Sequence, residues 1–467
     1  MKMKRVLALL FAALMLVGVM AGCQSAKPAD DTAAVTPDTS GEAKQPDATE
    51  TPAESDAEPA EEVTLEVAVF EGAYGRTFWD AIAASFEASH PGVTVSITAN
   101  PEISEIIRPN ILSGNPPDLI YLPSSNASGI AQALIKDHAL VDLNDVLADI
   151  EDQFLPGFLD SSKCQPYGDG HTYLVPLYYT ASGLWFNKTY FEENDLEVPT
   201  TWDEFFTLGD WAKEHGRALY TYQGIYPGYN EIMLTPAIAS AGGIEGLQAC
   251  ANYESGAWTN PDIVKSLENF AKIGTGGYLM DGTVALDHTQ AQSEWLMGKA
   301  LFHPNGSWVE GEMKDAAREE GFEFGFTAPP VLDANKDKYV FATVDEIYIP
   351  TAAKNVELAK EFLKFLFTDE AIQLNAENAL GVPPIKGACE KLKGLVSDAV
   401  YESYLIFEKG YKPVVETPFN TVADTEIAPA TEFYNQIGDV MMGNETVETW
   451  IEKTEAISAQ VCDKIVK

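Results

Sequence analysis

Six histidines are the first residues to test for acid–base or metal chemistry in this 467-residue sequence: His90, His138, His171, His215, His288 and His303. They are scattered, with no HExxH and no pair at metal-ligand spacing. GxSxG nucleophile elbows, Walker loops, GxGxxG turns and DxDxDG calcium loops are also missing. Carboxylates number 71, so no two of them stand out as the acid and base of a hydrolase, and most must be solvated surface. The expectation is no metal, no cofactor and no catalysis.

Aromatic residues say more: eight Trp, 19 Tyr and 22 Phe. A sugar ring offers an apolar C–H face and a rim of hydroxyls, which calls for an aromatic platform edged by amides or carboxylates. Two stretches combine these types beside Gly or Pro, where exposure is expected. One runs Phe302-His303-Pro304-Asn305-Gly306-Ser307-Trp308-Val309-Glu310, the other Tyr226-Pro227-Gly228-Tyr229-Asn230-Glu231. Trp79, Trp202, Trp211 and Trp450 read as packing residues; Trp308, after a Gly-Ser turn, reads as functional.

These side chains need a scaffold, and its elements are legible. Val63, Leu65, Val67 and Val69 alternate as in a strand. After the loop 71–75, Phe78, Ile82 and Phe86 mark a helix to about His90, and Pro91-Gly92 ends it. A second strand begins at Val93, a helix covers 106–112, and a short buried strand lies within 117–122. Strand–helix alternation at this spacing predicts a parallel sheet with crossover helices, whose ligands bind beyond the carboxyl ends of the strands. The loops 71–75 and 123–127 fall there. Thr201-Trp202-Asp203-Glu204 is a capping box opening a helix through Trp211. Ile347 to Pro350 ends a strand, Ala359, Phe362, Leu363 and Leu366 stripe a helix over 356–367, and Gly381-Val382-Pro383-Pro384 is a break.

The first 62 residues read differently. Met-Lys-Met-Lys-Arg precedes an apolar run from Val6 to Gly22, the grammar of a secretory signal. The run ends in Met20-Ala21-Gly22-Cys23, which resembles the bacterial lipobox, so residues 1–22 are expected to be cleaved and Cys23 lipidated. Residues 24–62 hold eleven acidic and two basic side chains and almost nothing large and apolar. Such a tract cannot offset its chain entropy by burial, so 23–62 is expected to be a lipidated cysteine with a disordered acidic tether. The formal charge of −41 becomes −44 without Lys2, Lys4 and Arg5, and −35 of that falls on the body from Val63. A charge of this sign excludes a nucleic-acid partner and a broad anionic membrane footprint. Cys164, Cys250, Cys389 and Cys462 remain, and three disulfide pairings are open among them.

Three blocks then carry a resemblance. Tyr173-Leu174-Val175-Pro176 is followed by Gly183-Leu184-Trp185-Phe186-Asn187-Lys188-Thr189-Tyr190-Phe191 and by Pro199-Thr200-Thr201-Trp202-Asp203-Glu204-Phe205. Further blocks are Gly298-Lys299-Ala300 with Gly306-Ser307-Trp308, and Lys354-Asn355-Val356-Glu357-Leu358-Ala359 leading to Phe362-Leu363. Together they resemble the extracellular solute-binding proteins (family 1) of bacterial carbohydrate ABC transporters, most of all those for N-acetylglucosamine and diacetylchitobiose. Phe186 departs from the Tyr usual there.

The resemblance implies an α/β, two-lobed, periplasmic-binding-protein-like fold of type II, each lobe a mostly parallel sheet flanked by helices. Lobe 1 would be 63–178 with 342–383 and lobe 2 183–340 with 387–467, joined by crossovers near 178–183, 341–344 and 382–387. A mono- or oligosaccharide would sit in the cleft between them. Closed on it, a monomer lipid-anchored at the extracytoplasmic face of the cell membrane would dock on the permease subunits. The ligand-binding residues it implies are Glu71 and Tyr74 after the first strand, Asn126 after the third, Tyr178 and Asp345 at crossovers, Tyr229 in lobe 2, and Trp308 as platform with Asn305 beside it. Two alternatives stay open: the same fold taking a peptide or polyamine, and a lipid-anchored glycosidase.

Overall fold

A computed structural model describes residues 62–415 and 417–465. The signal segment, Cys23 and the tether through residue 61 lie outside the described residues. The body is mixed α/β, and the nine strands among the described residues form one connected sheet in the order β2-β1-β3-β8-β4-β6-β5, with β7 on β4 and β9 on β8.

The strands are β1 Val63–Phe70, β2 Val93–Asn100, β3 Leu119–Tyr121, β4 Leu174–Asn187, β5 Ala218–Tyr220, β6 Ala300–Gly306, β7 Phe324–Thr327, β8 Tyr339–Tyr348 and β9 Lys412–Val414. β1 pairs in parallel with β2 and β3, as its alternation and the intervening helices require. Its Leu65, Val67 and Val69 enter one core while Ala68 enters another, so the strand is covered on both faces. The helix Thr77–Ser89 buries Phe78, Trp79, Ile82 and Phe86 on the first of these cores. At the middle of the sheet the pairing turns antiparallel: β3 with β8, and β4 with β8, β6 and β7. β5 with β6 and β8 with β9 are parallel again.

The 14-residue β4 and the ten-residue β8 span two large cores. β4 gives Val175, Leu177 and Tyr179 to the first core, and Leu184 and Phe186 to the second. Its register with β8 runs from Leu174↔Tyr348 to Ser182↔Phe341, with an irregularity between Pro176 and Tyr178. The second core holds Trp202 and Phe205 of the helix Trp202–Glu214, whose Thr201/Glu204 capping box forms as read from sequence. Trp450 is fully buried there too, with its indole N–H donating to the Phe433 carbonyl at 3.0 Å.

Past residue 387 the chain does not keep to the second core. Ala388, Cys389, Leu392, Tyr404 and Phe407 pack in the first, while Ala399 joins Trp185 and Trp295 in a smaller cluster. This segment therefore bridges the two halves. Cys164, Cys250 and Cys389 are buried and Cys462 is exposed. The Cys389 thiol donates to Glu408 at 3.2 Å, and burial pushes its pKa up to about 12. Among the described residues no helix is long and apolar enough to cross a membrane, and no three His, Cys, Asp or Glu side chains gather as a metal site.

Candidate functional site

Where β4 and β8 pass between the cores, a cleft of about 650 Å³ opens. Its floor is Ser182 of β4 with Phe341 and Thr343 of β8, and its walls are 225–232, Trp308 and 430–435. Ile225, Tyr226 and Trp308 are 53%, 52% and 37% exposed, and all three line this one cleft. Large apolar side chains left in water at one concave place mark a surface kept for a ligand.

The local sequence explains how they stand there. β6 ends at Gly306, paired with Ser182, and the chain turns so that Trp308 folds back over the strand end. A Cβ at Gly306 would collide with the indole, so the glycine makes room for the ring. Across the cleft, Pro227–Asn230 is a single 3-10 turn. Buried Asn230 fixes it, accepting from the Tyr220 hydroxyl at 2.9 Å and donating to the Pro227 carbonyl at 3.1 Å. Tyr229 projects from that turn with its ring 5.1 Å from His288, which lies within 3.1 Å of Glu312.

Glu231 opens the helix Glu231–Ala251 and is, among the described residues, the one acidic side chain lining the cleft. Burial pushes its carboxyl up to about 7, against a pull downward from the Lys163 charge. A second group lies beside the floor. Tyr74 and Tyr178 pack ring to ring at 4.3 Å, and Tyr121 meets Tyr178 edge-on at 5.6 Å. The Tyr121 hydroxyl donates to Asp345 at 3.0 Å. Burial pushes Asp345 up to about 6; the Tyr121 bond and Lys163 oppose this, and neighbouring Glu346 adds to it. Glu346 is itself fully buried and accepts from the Ser124 N–H and hydroxyl, each at 2.7 Å. The Tyr404 hydroxyl, 3.4 Å from that of Ser307, links this group to the residue beside Trp308.

Of the residues expected from sequence, Tyr229 and Trp308 line the cleft, and Tyr74, Tyr178 and Asp345 form the tyrosine–carboxylate group beside it. Asn305 is fully buried within β6. Its side-chain oxygen accepts from the Gly306 N–H, while its amide nitrogen lacks a partner among the described residues. Asn126 spends its side-chain oxygen on the Ser128 N–H in a local turn. Glu71 follows β1 half-buried, with its backbone N–H on the Asn100 carbonyl; among the described residues no side-chain bond ties it to either group. Sequence reasoning did not single out Ser182, Thr343, Tyr434, Tyr404 or Lys163. Glu231 stood at the end of a stretch already marked for its aromatics and was passed over.

A diacetylchitobiose binding protein of Streptomyces coelicolor is 28% identical over 335 residues, 69% of this chain and 70% of that one. A multiple sugar-binding protein of Streptococcus mutans is 25% identical over 306 residues, 62% of this chain and 68% of that one. In fold, the chain is similar to apo RafE from Streptococcus pneumoniae, with a TM-score of 0.69 at 18% identity over 86% of this chain and 98% of that one. It is also similar to the bacterial solute receptor AcbH, at 0.68 and 18% over 85% and 99%. Both likenesses are of fold, and the mixed sheet is that of the periplasmic-binding-protein type II class. The profile of the bacterial extracellular solute-binding proteins matches residues 71–373, and the chain belongs to that family.

Proposed function

We propose that this protein is an extracytoplasmic receptor that captures a mono- or oligosaccharide in the cleft between β4, β8 and Trp308 and delivers it to the permease subunits of an ABC importer. The observation that carries the reading is the gathering of exposed Ile225, Tyr226 and Trp308 on one concavity whose rim is hydroxyls and one carboxylate. That is the chemistry of a sugar's two faces. Trp308 and Tyr229 stack on the ring. Tyr74, Tyr178, Asp345, Asn305, Asn126 and Glu71 complete the ligand set as the lobes close, with 63–178 and 342–383 moving against the remainder about 178–183, 341–344 and 382–387. Contacts from both lobes would then bias the closed state.

A thermal-shift panel of diacetylchitobiose, raffinose, galactose, spermidine and a short peptide tests the ligand class. The matching sugar at 100 times its Kd adds about 2.7 kcal/mol of stability. A shift with spermidine or the peptide and with no sugar overturns the reading, and hydrolysis of a sugar by the purified protein would favour a glycosidase instead. The same proposal holds the receptor to the membrane through a lipid on Cys23. Cys23→Ser should release the protein or leave it unprocessed, and unaltered lipidation would refute the anchor.

A further inference from the structure

The cleft is rich in groups that can donate a hydrogen bond and poor in groups that only accept. Tyr226, Tyr229, Tyr434, Ser182 and Thr343 all bring hydroxyls, and Glu231 is the one carboxyl among the lining residues. Its carboxyl makes no hydrogen bond or ion pair with any described residue. The titratable and charged groups around it come from three other elements. Lys163 faces it from the loop before β4, Tyr434 from the helix Pro429–Tyr434, and Tyr226 and Tyr229 from the 3-10 turn. His288 and Glu312 lie behind Tyr229 and are engaged with each other. Lys163 also faces Asp345 and Glu346, so its charge is shared among three acids and neutralises none by contact.

We propose that Glu231 is the acceptor that fixes a hydroxyl-bearing ligand in the cleft, and that capture drives a proton off it. The inference rests on the receptor reading above and deepens it. Before capture the carboxyl is half-buried and has no side-chain partner among the described residues, which favours its neutral form near neutral pH. A sugar hydroxyl donates to the ionised form and stabilises it. The carboxyl O–H therefore gives its proton to solvent as the ligand O–H bond to carboxylate forms. Affinity then rises with pH up to the point where the empty site is already ionised.

Calorimetric titration of the full protein with the panel sugar giving the largest thermal shift, in phosphate and in imidazole buffer, reads the protons directly. At pH 6 close to one proton per ligand should leave, seen as a buffer-dependent heat, and at pH 8 almost none. The Kd should be roughly tenfold lower at pH 8 than at pH 6, the ratio set by a group that titrates near 7 and ionises on binding. Glu231→Gln should remove most of the released proton and most of the pH dependence, leaving only what Asp345 contributes near pH 6. Lys163→Met, which removes the opposing charge, should move the midpoint upward while Glu231 still titrates. Sugar binding at pH 6 with no released proton, or with proton uptake, overturns this inference and leaves the receptor standing. No binding by any sugar overturns the receptor reading, and this one with it.

Discussion

At the scale of single residues, the cleft depends on how Trp308 is held. The indole is 37% exposed, yet it is not loose: it folds back on the end of β6 over a glycine that must lack a side chain. Two substitutions therefore reach the same surface by different routes. Trp308→Ala removes the platform and should raise the Kd for the bound sugar by roughly tenfold or more, about 1.4 kcal/mol. Gly306→Ala keeps the indole but forces it off the strand end, so affinity should fall comparably while the far-ultraviolet dichroism stays that of the parent. Unchanged affinity in both variants, measured by calorimetry, would remove Trp308 from the site. The sequence pointed to this residue because a Trp directly after Gly-Ser cannot easily be helix or core. Glu231 and Lys163 gave no such signal. Among 71 carboxylates and 30 basic residues, only burial and the company of other charges set these two apart.

At the scale of elements, the sequence reads well where burial has a period and poorly where partners are distant. β1 and the helices Thr77–Ser89, Trp202–Glu214 and Val356–Phe365 follow from alternation, an i, i+4 stripe and a capping box, all local signals. β4 is harder. Thirteen of its 14 residues are buried because it serves two cores and pairs with β8, β6 and β7, so neither alternation nor a turn announces where one half ends and the other begins. The segment after 387 is the clearest instance. Its break at Gly381-Val382-Pro383-Pro384 was visible, and Gly381 does serve a close approach, since a Cβ there would stand 2.6 Å from the Tyr178 ring. What the break could not convey is that Cys389, Tyr404 and Phe407 return to the first core while Ala399 touches another. Such packing is fixed by contacts more than 200 residues away in sequence, like the Tyr179 hydroxyl donating to the Tyr404 carbonyl. Tyr404, the link between the tyrosine group and Ser307, was illegible for the same reason.

At the scale of the whole molecule, acidity and the cleft together dictate how stability varies with pH. Glu231, Asp345 and Glu346 all carry pKa values raised chiefly by burial, to about 7 and about 6 for the first two. In the unfolded chain such groups ionise near 4. The folded protein thus binds more protons than the unfolded one between those values, and stability is lost as pH rises through the folded pKa values. Asp145, held down by Lys360, and Glu204, held down by the Thr200 and Thr201 N–H groups and hydroxyls, act in the opposite direction, but their window lies below the ordinary carboxylate range. The melting temperature of the empty protein should therefore fall from pH 5 to pH 8. General repulsion within a body of formal charge −35 adds to that fall, and salt separates the two causes. In 0.5 M NaCl the repulsion between exposed charges is screened, whereas the buried carboxyls still titrate. A fall that survives salt and shrinks in Glu231→Gln belongs to the cleft. A melting temperature flat with pH in high salt would mean that these carboxyls ionise freely in the fold, and the cleft could then release no proton to a ligand.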